Sequence, residues 1–201
     1  TLAEAIWVLA GRADVAWLSH YLPRAVEYAD DGVVWRAGYG PRLFNWQGVD
    51  QVQEVIRLLE ADGSTRRAAC SLFDPSSDYG DSKDIPCNNW LHFLIRGGKL
   101  HLNVALRSND AIWGFSGINA FEWSLLLDLV AMTLGVEVGE LTMFASSFHI
   151  YERHYSLLRE IPERFCGVTC YNSDIRASRP SSRYASFKRQ LPRWFTLENA
   201  I

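Results

Sequence analysis

The 201-residue chain is 48% hydrophobic, enough to enclose one sizeable core, and a single domain over residues 1–201 is predicted. A net charge of −3, with Lys and Arg scattered among Asp and Glu, leaves no basic face for general nucleic-acid binding. No apolar run reaches the length of a membrane span, no signal peptide leads the chain, and the four cysteines lack dense spacing; together these predict a reducing, cytoplasmic setting.

Leu2, Ile6 and Leu9, with Trp7 alongside, form a helical stripe that stops at Gly11. Asp14 is placed to cap a second helix carrying Val15, Trp17, Leu18 and Tyr21, which closes before Pro23. A turn-rich stretch holding Gly32, Gly38 and Gly40 runs from Asp30 to Pro41. From Asp50 to Asp62 the residues Val52, Val55, Ile56 and Leu59 share one face, giving an amphipathic helix ended by Gly63. Arg66 to Phe73 reads as a strand, and a polar loop follows from Asp74 to Lys83. Leu91 to Ile95 and Leu100 to Leu106 flank Gly97-Gly98, a pair suited to a tight hairpin turn. Asn119 to Leu134 is an almost wholly apolar helix ending at Gly135, a pattern that only a central position tolerates. Leu141 to Ile150 is strand-like, Glu152 to Glu160 is a short helix, and beyond Pro162 the pattern dissolves into Ser, Arg and Pro. Helices and strands mix without regular βαβ alternation, so the expected class is α+β.

The candidate chemistry centres on Cys87, in Ile85-Pro86-Cys87-Asn88-Asn89-Trp90. A cysteine alone is as readily a small core residue. Here Arg107-Ser108-Asn109-Asp110, Asn119 and His149-Ile150-Tyr151 follow it in order. A thiolate is a nucleophile, and a nearby guanidinium favours the thiolate and can grip a phosphate. Cys166-x-x-x-Cys170 has the spacing of half a zinc site, but no second ligand pair accompanies it, and no metal is expected.

Glu4-Ala5-Ile6-Trp7-Val8-Leu9, Tyr39-Gly40, Ser64-Thr65-Arg66-Arg67, Pro86-Cys87, Arg107-Ser108-Asn109-Asp110, Gly114, Asn119 and His149-Ile150-Tyr151 occur in one order over most of residues 1 to 155. In that set the chain resembles the thymidylate synthase and deoxycytidylate hydroxymethylase family. The resemblance implies a mixed sheet packed with helices, with one sheet face forming a homodimer interface. It implies Cys87 as the thiolate that adds to a pyrimidine, with Glu4 and Tyr39 as further catalytic residues. Arg107, Ser108 and Asn109 would hold the nucleotide, with Arg66 and Arg67 donated to its phosphate across the dimer. Asn119 would read the base, His149 and Tyr151 would hold the ribose, and Asp110 and Gly114 would contact 5,10-methylenetetrahydrofolate as co-substrate. A further phosphate loop, with another arginine, is expected before Thr1. Without the resemblance, Glu4 reads first as a solvated first-turn carboxylate, and the alternative for Arg66-Arg67 is a pair of surface arginines starting a strand. His20, His92, His101 and His154 are expected to be structural or exposed.

The chain also departs from that family. Asn88 stands where thymidylate synthases have His, Ala25 and Tyr28 where they have tryptophans, and Ser146-Ser147 where they have Gly-Asp. The ending Thr196-Leu197-Glu198-Asn199-Ala200-Ile201 does not resemble their closing tail. A wetter site lets water, rather than hydride, reach the transferred carbon, and a 5-hydroxymethyl product is expected over a methyl one. The stretch from Gly114 to Asn119 carries a one-residue insertion and most resembles cytidylate hydroxymethylases of nucleoside-antibiotic pathways, the mildiomycin type, with CMP ahead of dCMP as substrate. Glu122 is a candidate carboxylate for the cytosine edge, or a helix residue with no such role.

Overall fold

The computed structural model describes residues 1–165, 167, 169 and 179–198. Cys166, Cys170 and the last three residues of the expected non-family tail lie outside them.

α1 (Leu2–Leu9) buries Ala5, Trp7, Val8 and Leu9 and leaves Glu4 in its first turn. α2 is short, Val15–Leu18, and the Asp14 side chain accepts from the Trp17 N–H as expected of a cap. The chain then makes a 3₁₀ segment, Pro23–Tyr28, and α3, Tyr39–Phe44, so the stretch read as turns ends in a helix. Gly40 suits that helix because a Cβ there would press on the Arg12 backbone. α4 (Gln51–Ala61) has the Asp50 cap and the four predicted buried positions. It ends in extended backbone at Asp62, not in a left-handed Gly63.

β1 (Ala69–Ser71), β2 (Asn88–Arg96), β3 (Lys99–Leu106) and β5 (Glu137–Ala145) form one sheet in the order β1-β2-β3-β5. β1, β2 and β3 pair antiparallel and β5 joins β3 in parallel, so the sheet is mixed. Gly97 and Gly98 both have positive φ and make the predicted hairpin turn. A short parallel pair, β4 (Asn109–Asp110) with β6 (Phe148–His149), stands apart from this sheet. The single strand expected over Leu141 to Ile150 therefore starts earlier and breaks at Ser146-Ser147.

A π-helix, Ala111–Asn119, feeds into α5, Ala120–Leu134, which Gly135 closes in a left-handed cap. Together they form an apolar run, Ala111–Leu134, long enough by length to cross a membrane. That length exceeds the sequence expectation, but Trp123, Leu126, Leu127, Leu129 and Val130 are buried in the core against Phe93, Leu102 and Val104 of the sheet. α6 (Tyr155–Phe165) follows a 3₁₀ turn, and α7 (Tyr184–Glu198) follows it. α7 corrects the expectation of a patternless tail: its Phe195 packs on Trp17, and Glu198 accepts from Trp17 Nε1 and the Tyr21 hydroxyl. The sheet face away from α5 carries a row of Trp90, Ala105 and Phe144, with Trp90 38% and Phe144 66% exposed.

The loop before β2 is tied down by charge. Arg42 and Asp78 are both buried; the Arg42 fork spans both Asp78 oxygens, and Arg36 adds a bond at 2.8 Å. Burial opposes the Asp78 charge, but Arg42, the Asp74 N–H and Arg36 together outweigh it and hold the carboxyl well below its usual range. Removing the carboxylate strands a buried guanidinium. Asp78→Ala is expected to cost about 3–5 kcal/mol of stability, measured by urea unfolding.

Candidate active site

A cleft of about 400 Å³, the size of a small-molecule site, opens between α1, the Asp84–Cys87 segment, the β3–β4 junction and the π-helix. Glu4, Tyr39 and Cys87 line it, together with Arg107, Ser108, Asn109 and Asp110. Gly114, Asn119, His149 and Tyr151 complete the set that the sequence singled out. Arg66 and Arg67 do not join them: both are exposed, just ahead of β1.

Cys87 precedes β2, and three contacts hold its loop. The Arg107 N–H donates to the Cys87 carbonyl, Arg107 Nε to Pro86 O, and Nη2 to Ile85 O, each at 2.9 Å. Asn88, the next residue, is fully buried. Its Nδ2 donates to the Tyr39 hydroxyl at 2.6 Å, its own N–H donates to the same oxygen, and its Oδ1 accepts from Trp123 Nε1 at 3.1 Å. The departure at Asn88 thus locks the strand that follows Cys87 to α3 and α5. The Tyr39 hydroxyl accepts both bonds, which favour the phenolate, but burial outweighs them and pushes its pKa well up.

The cleft is electrostatically tense. Burial raises the Cys87 thiol above its usual range; Arg107 pulls the other way and Asp84 adds to the rise. Arg107 favours the thiolate, as expected of a nearby guanidinium, but desolvation is the larger effect. Burial pushes Glu4 up to about 7. Glu122 is raised too, by burial and by the charge of Glu4, while its bond to Asn119 opposes the rise.

β4 pairing with β6 sets Asp110 beside His149, and the His149 and Tyr151 rings meet edge to face at 5.0 Å. The Asp110 carboxylate caps the π-helix by accepting from the Ile112 and Trp113 N–H groups. Gly114 is bare because a Cβ there would overlap Asn109 Oδ1 and come within 3.4 Å of Asn119 Oδ1. Glu122 is not among the lining residues; it bonds Asn119 from behind, which corrects its reading as a group on the base edge.

Tyr28, Trp35 and Trp113 line the cleft too, with Trp113 edge-on to Tyr28 at 5.7 Å. Ala25 is buried beneath, its carbonyl accepting from Trp35 Nε1. The tryptophans expected to be missing are therefore offset by indoles from other positions, and the argument for a wetter site loses that support. Lys83, Asp84 and Arg153 also reach the cleft and were missed. Lys83 and Asp84 stand within four residues of Cys87, and Arg153 two beyond Tyr151, so proximity to the motifs was the available signal. Among the described residues no cluster of three or more His, Cys, Asp or Glu side chains could hold a metal.

Alkylation of Cys87 by iodoacetamide is expected to be slow at pH 7 and to accelerate with a midpoint above 9, read by mass spectrometry. A midpoint below 8 would contradict the dominance of burial.

The sequence pattern of the thymidylate synthase family matches residues 1–179. The chain is similar to the deoxyuridylate hydroxymethyltransferase of Bacillus phage SP01, at 40% identity over 77% of this chain and 43% of that protein. A protein of the same name from Pseudomonas phage M6 is 38% identical over 75% of this chain and 44% of its own length. The chain spans under half the length of these two relatives. The crystal structure of thymidylate synthase from T4 phage superposes with a TM-score of 0.72 at 26% identity, covering 97% of this chain and 73% of that one. With the fold, the cleft and the sequence pattern in agreement, the chain belongs to the thymidylate synthase family.

Proposed function

We propose that the chain forms the catalytic part of a one-carbon transferase that hydroxymethylates C5 of a pyrimidine nucleoside 5′-monophosphate. The observation that carries this reading is the convergence of the Cys87 thiol, the Glu4 carboxyl, the Asn119 amide and the His149–Tyr151 pair on one cleft. Cys87 Sγ adds to C6 of the ring, and the C5=C6 electron pair moves to C5, making it nucleophilic. When bound, 5,10-methylenetetrahydrofolate supplies one carbon at the methylene level. The flat walls of Tyr28, Trp35 and Trp113 and the Asp110 carboxylate suit a pterin ring.

After C5 takes up that carbon, Glu4 accepts the C5 proton, a role matched to a carboxyl that titrates near 7. The bond from the transferred carbon to the folate nitrogen would break as the C5 proton leaves, its electron pair going to the nitrogen. Water then adds to the exocyclic carbon and the Cys87 sulfur departs, so the balance is nucleotide, methylene donor and water to hydroxymethyl nucleotide and tetrahydrofolate. Arg107 and Ser108 grip the phosphate, Asn109 supports the nucleotide, and His149 and Tyr151 take the sugar hydroxyl. Cytidylate, CMP ahead of dCMP, is the substrate suggested by the altered Gly114–Asn119 segment and its mildiomycin-type resemblance. A second reading takes deoxyuridylate, and the phage relatives at 38–40% identity carry that substrate in their names. The uncovered row of Trp90, Ala105 and Phe144 supports a homodimer through the outer sheet face, with Arg66 and Arg67 reaching the partner's phosphate. The setting is cytoplasmic, in keeping with the free thiols of Cys70 and Cys87.

A mass-resolved product assay with CMP, dCMP, UMP and dUMP, each with methylenetetrahydrofolate, tests this reading. The expected product gains a hydroxymethyl group without dihydrofolate; a methylated product with dihydrofolate would mean hydride transfer and a thymidylate synthase. Cys87→Ala is expected to abolish turnover. Arg107→Ala should raise KM for the nucleotide about 10–100-fold, the loss of a charge-assisted contact, and lower kcat as well, because the same side chain holds the Ile85 and Pro86 carbonyls and favours the Cys87 thiolate.

For Glu4, kcat is expected to rise with pH through about 7 as the carboxyl ionises, and Glu4→Gln should remove that limb. A folded pKa raised from 4.5 to about 7 gives a stabilising contribution that is full below 4.5 and lost as pH rises through 7. The same variant should therefore melt higher than the parent at pH 8, by scanning calorimetry.

A further inference from the structure

Glu122 is a buried carboxyl that the proposed mechanism does not use. It lies one turn into α5, 2% exposed, behind Asn119, itself 7% exposed. Glu122 Oε1 accepts from Asn119 Nδ2 at 3.1 Å. Asn119 Oδ1 meanwhile faces Gly114, 3.4 Å from where a Cβ on that residue would stand, and both residues line the cleft.

The two ends of a primary amide are nearly equal in shape and opposite in chemistry, since the oxygen only accepts and the nitrogen only donates. Uracil shows an N–H at N3 and a carbonyl at C4. Cytosine shows the reverse, a bare N3 and an amino group at C4. One asparagine can read either edge, but only in opposite flips of its amide. Turning Asn119 over would set Oδ1 against Glu122 Oε1, acceptor against acceptor, in an interior where no solvent relieves the mismatch. A neutral Glu122 with its proton on Oε2, the arrangement that the bond from Asn119 Nδ2 to Oε1 selects, still presents an acceptor to the amide, and a flip of Asn119 requires that proton to move to Oε1.

We propose that Glu122 is a positioning residue that holds Asn119 in one of its two flips, and so sets whether the site takes uracil or cytosine. This rests on the reading of the cleft as a pyrimidine nucleotide site. Two substitutions remove the bias in different ways. Glu122→Gln keeps the shape but offers either an oxygen or an N–H, and so satisfies both flips; Glu122→Leu offers neither.

The test is calorimetric binding of dUMP and dCMP, which share a sugar and need no turnover, to the parent and both variants. The expected result is a parent that prefers one base, and a Kd ratio that moves at least tenfold towards unity in both variants. A merely structural role would weaken both nucleotides alike and leave the ratio in place. A ratio within threefold of the parent's in both variants overturns the inference, as does a parent that binds the two bases equally. A parent that binds no pyrimidine nucleotide at all overturns the functional reading and this inference with it.

Discussion

The site depends on one buried amide. Asn88 has no contact with solvent, and its polar atoms are shared between the Tyr39 hydroxyl on α3 and the Trp123 indole on α5. A buried polar group left unpaired costs more than a paired one contributes, so all three elements are held in one relative position. Cys87 is the residue immediately before this knot. Its remaining freedom is taken by Arg107, which binds the carbonyls of Ile85, Pro86 and Cys87 from the end of β3. Cys87 is therefore positioned by the core of the protein, although its own segment is a loop.

Around that fixed thiol the protein assembles groups that burial makes uncomfortable. Burial pushes the Glu4 carboxyl up to about 7, raises Glu122 well above its usual range with the charge of Glu4 adding to the rise, and raises the Cys87 thiol. Such an arrangement lowers stability in the free protein, and it suits proton transfers to and from an uncharged ring. The Arg36–Asp78–Arg42 cluster works in the opposite sense. Opposite charges meet with near-complete hydrogen bonding and anchor the long loop that leads into Cys87.

Much of the site was legible in the sequence because its residues fall in short runs of ordered type. The run Arg107-Ser108-Asn109-Asp110 and the pair His149-x-Tyr151 are such runs, and the parallel pairing of β4 with β6 brings them to one wall. The aromatic wall was not legible. Trp35 and Trp113 occur singly among the chain's eight tryptophans, and periodicity does not separate a wall residue from a core one. α7 was missed for a related reason: Ser, Arg and Pro dominate the approach to it, and its buried side is only Tyr184, Leu191 and Phe195. Its place is decided by distant partners, Trp17 and Asp50, invisible to a local pattern.

By itself the sequence determined the α+β class, the Gly97-Gly98 hairpin, the amphipathic α4, the central apolar helix and the identity of most groups in the cleft. These follow from local rules: residue spacing matched to helix or strand period, glycine where φ is positive, and a carboxylate where a helix begins. The tertiary structure alone decided the direction of the Cys87 titration, the role of Asn88, the return of indoles to the cleft and the place of Glu122 behind Asn119. Each of these depends on burial and on partners distant in the chain or carried by another element. A hydrogen bond's worth and a carboxyl's pKa are set by the surrounding medium, and that medium exists only once the chain has closed on itself.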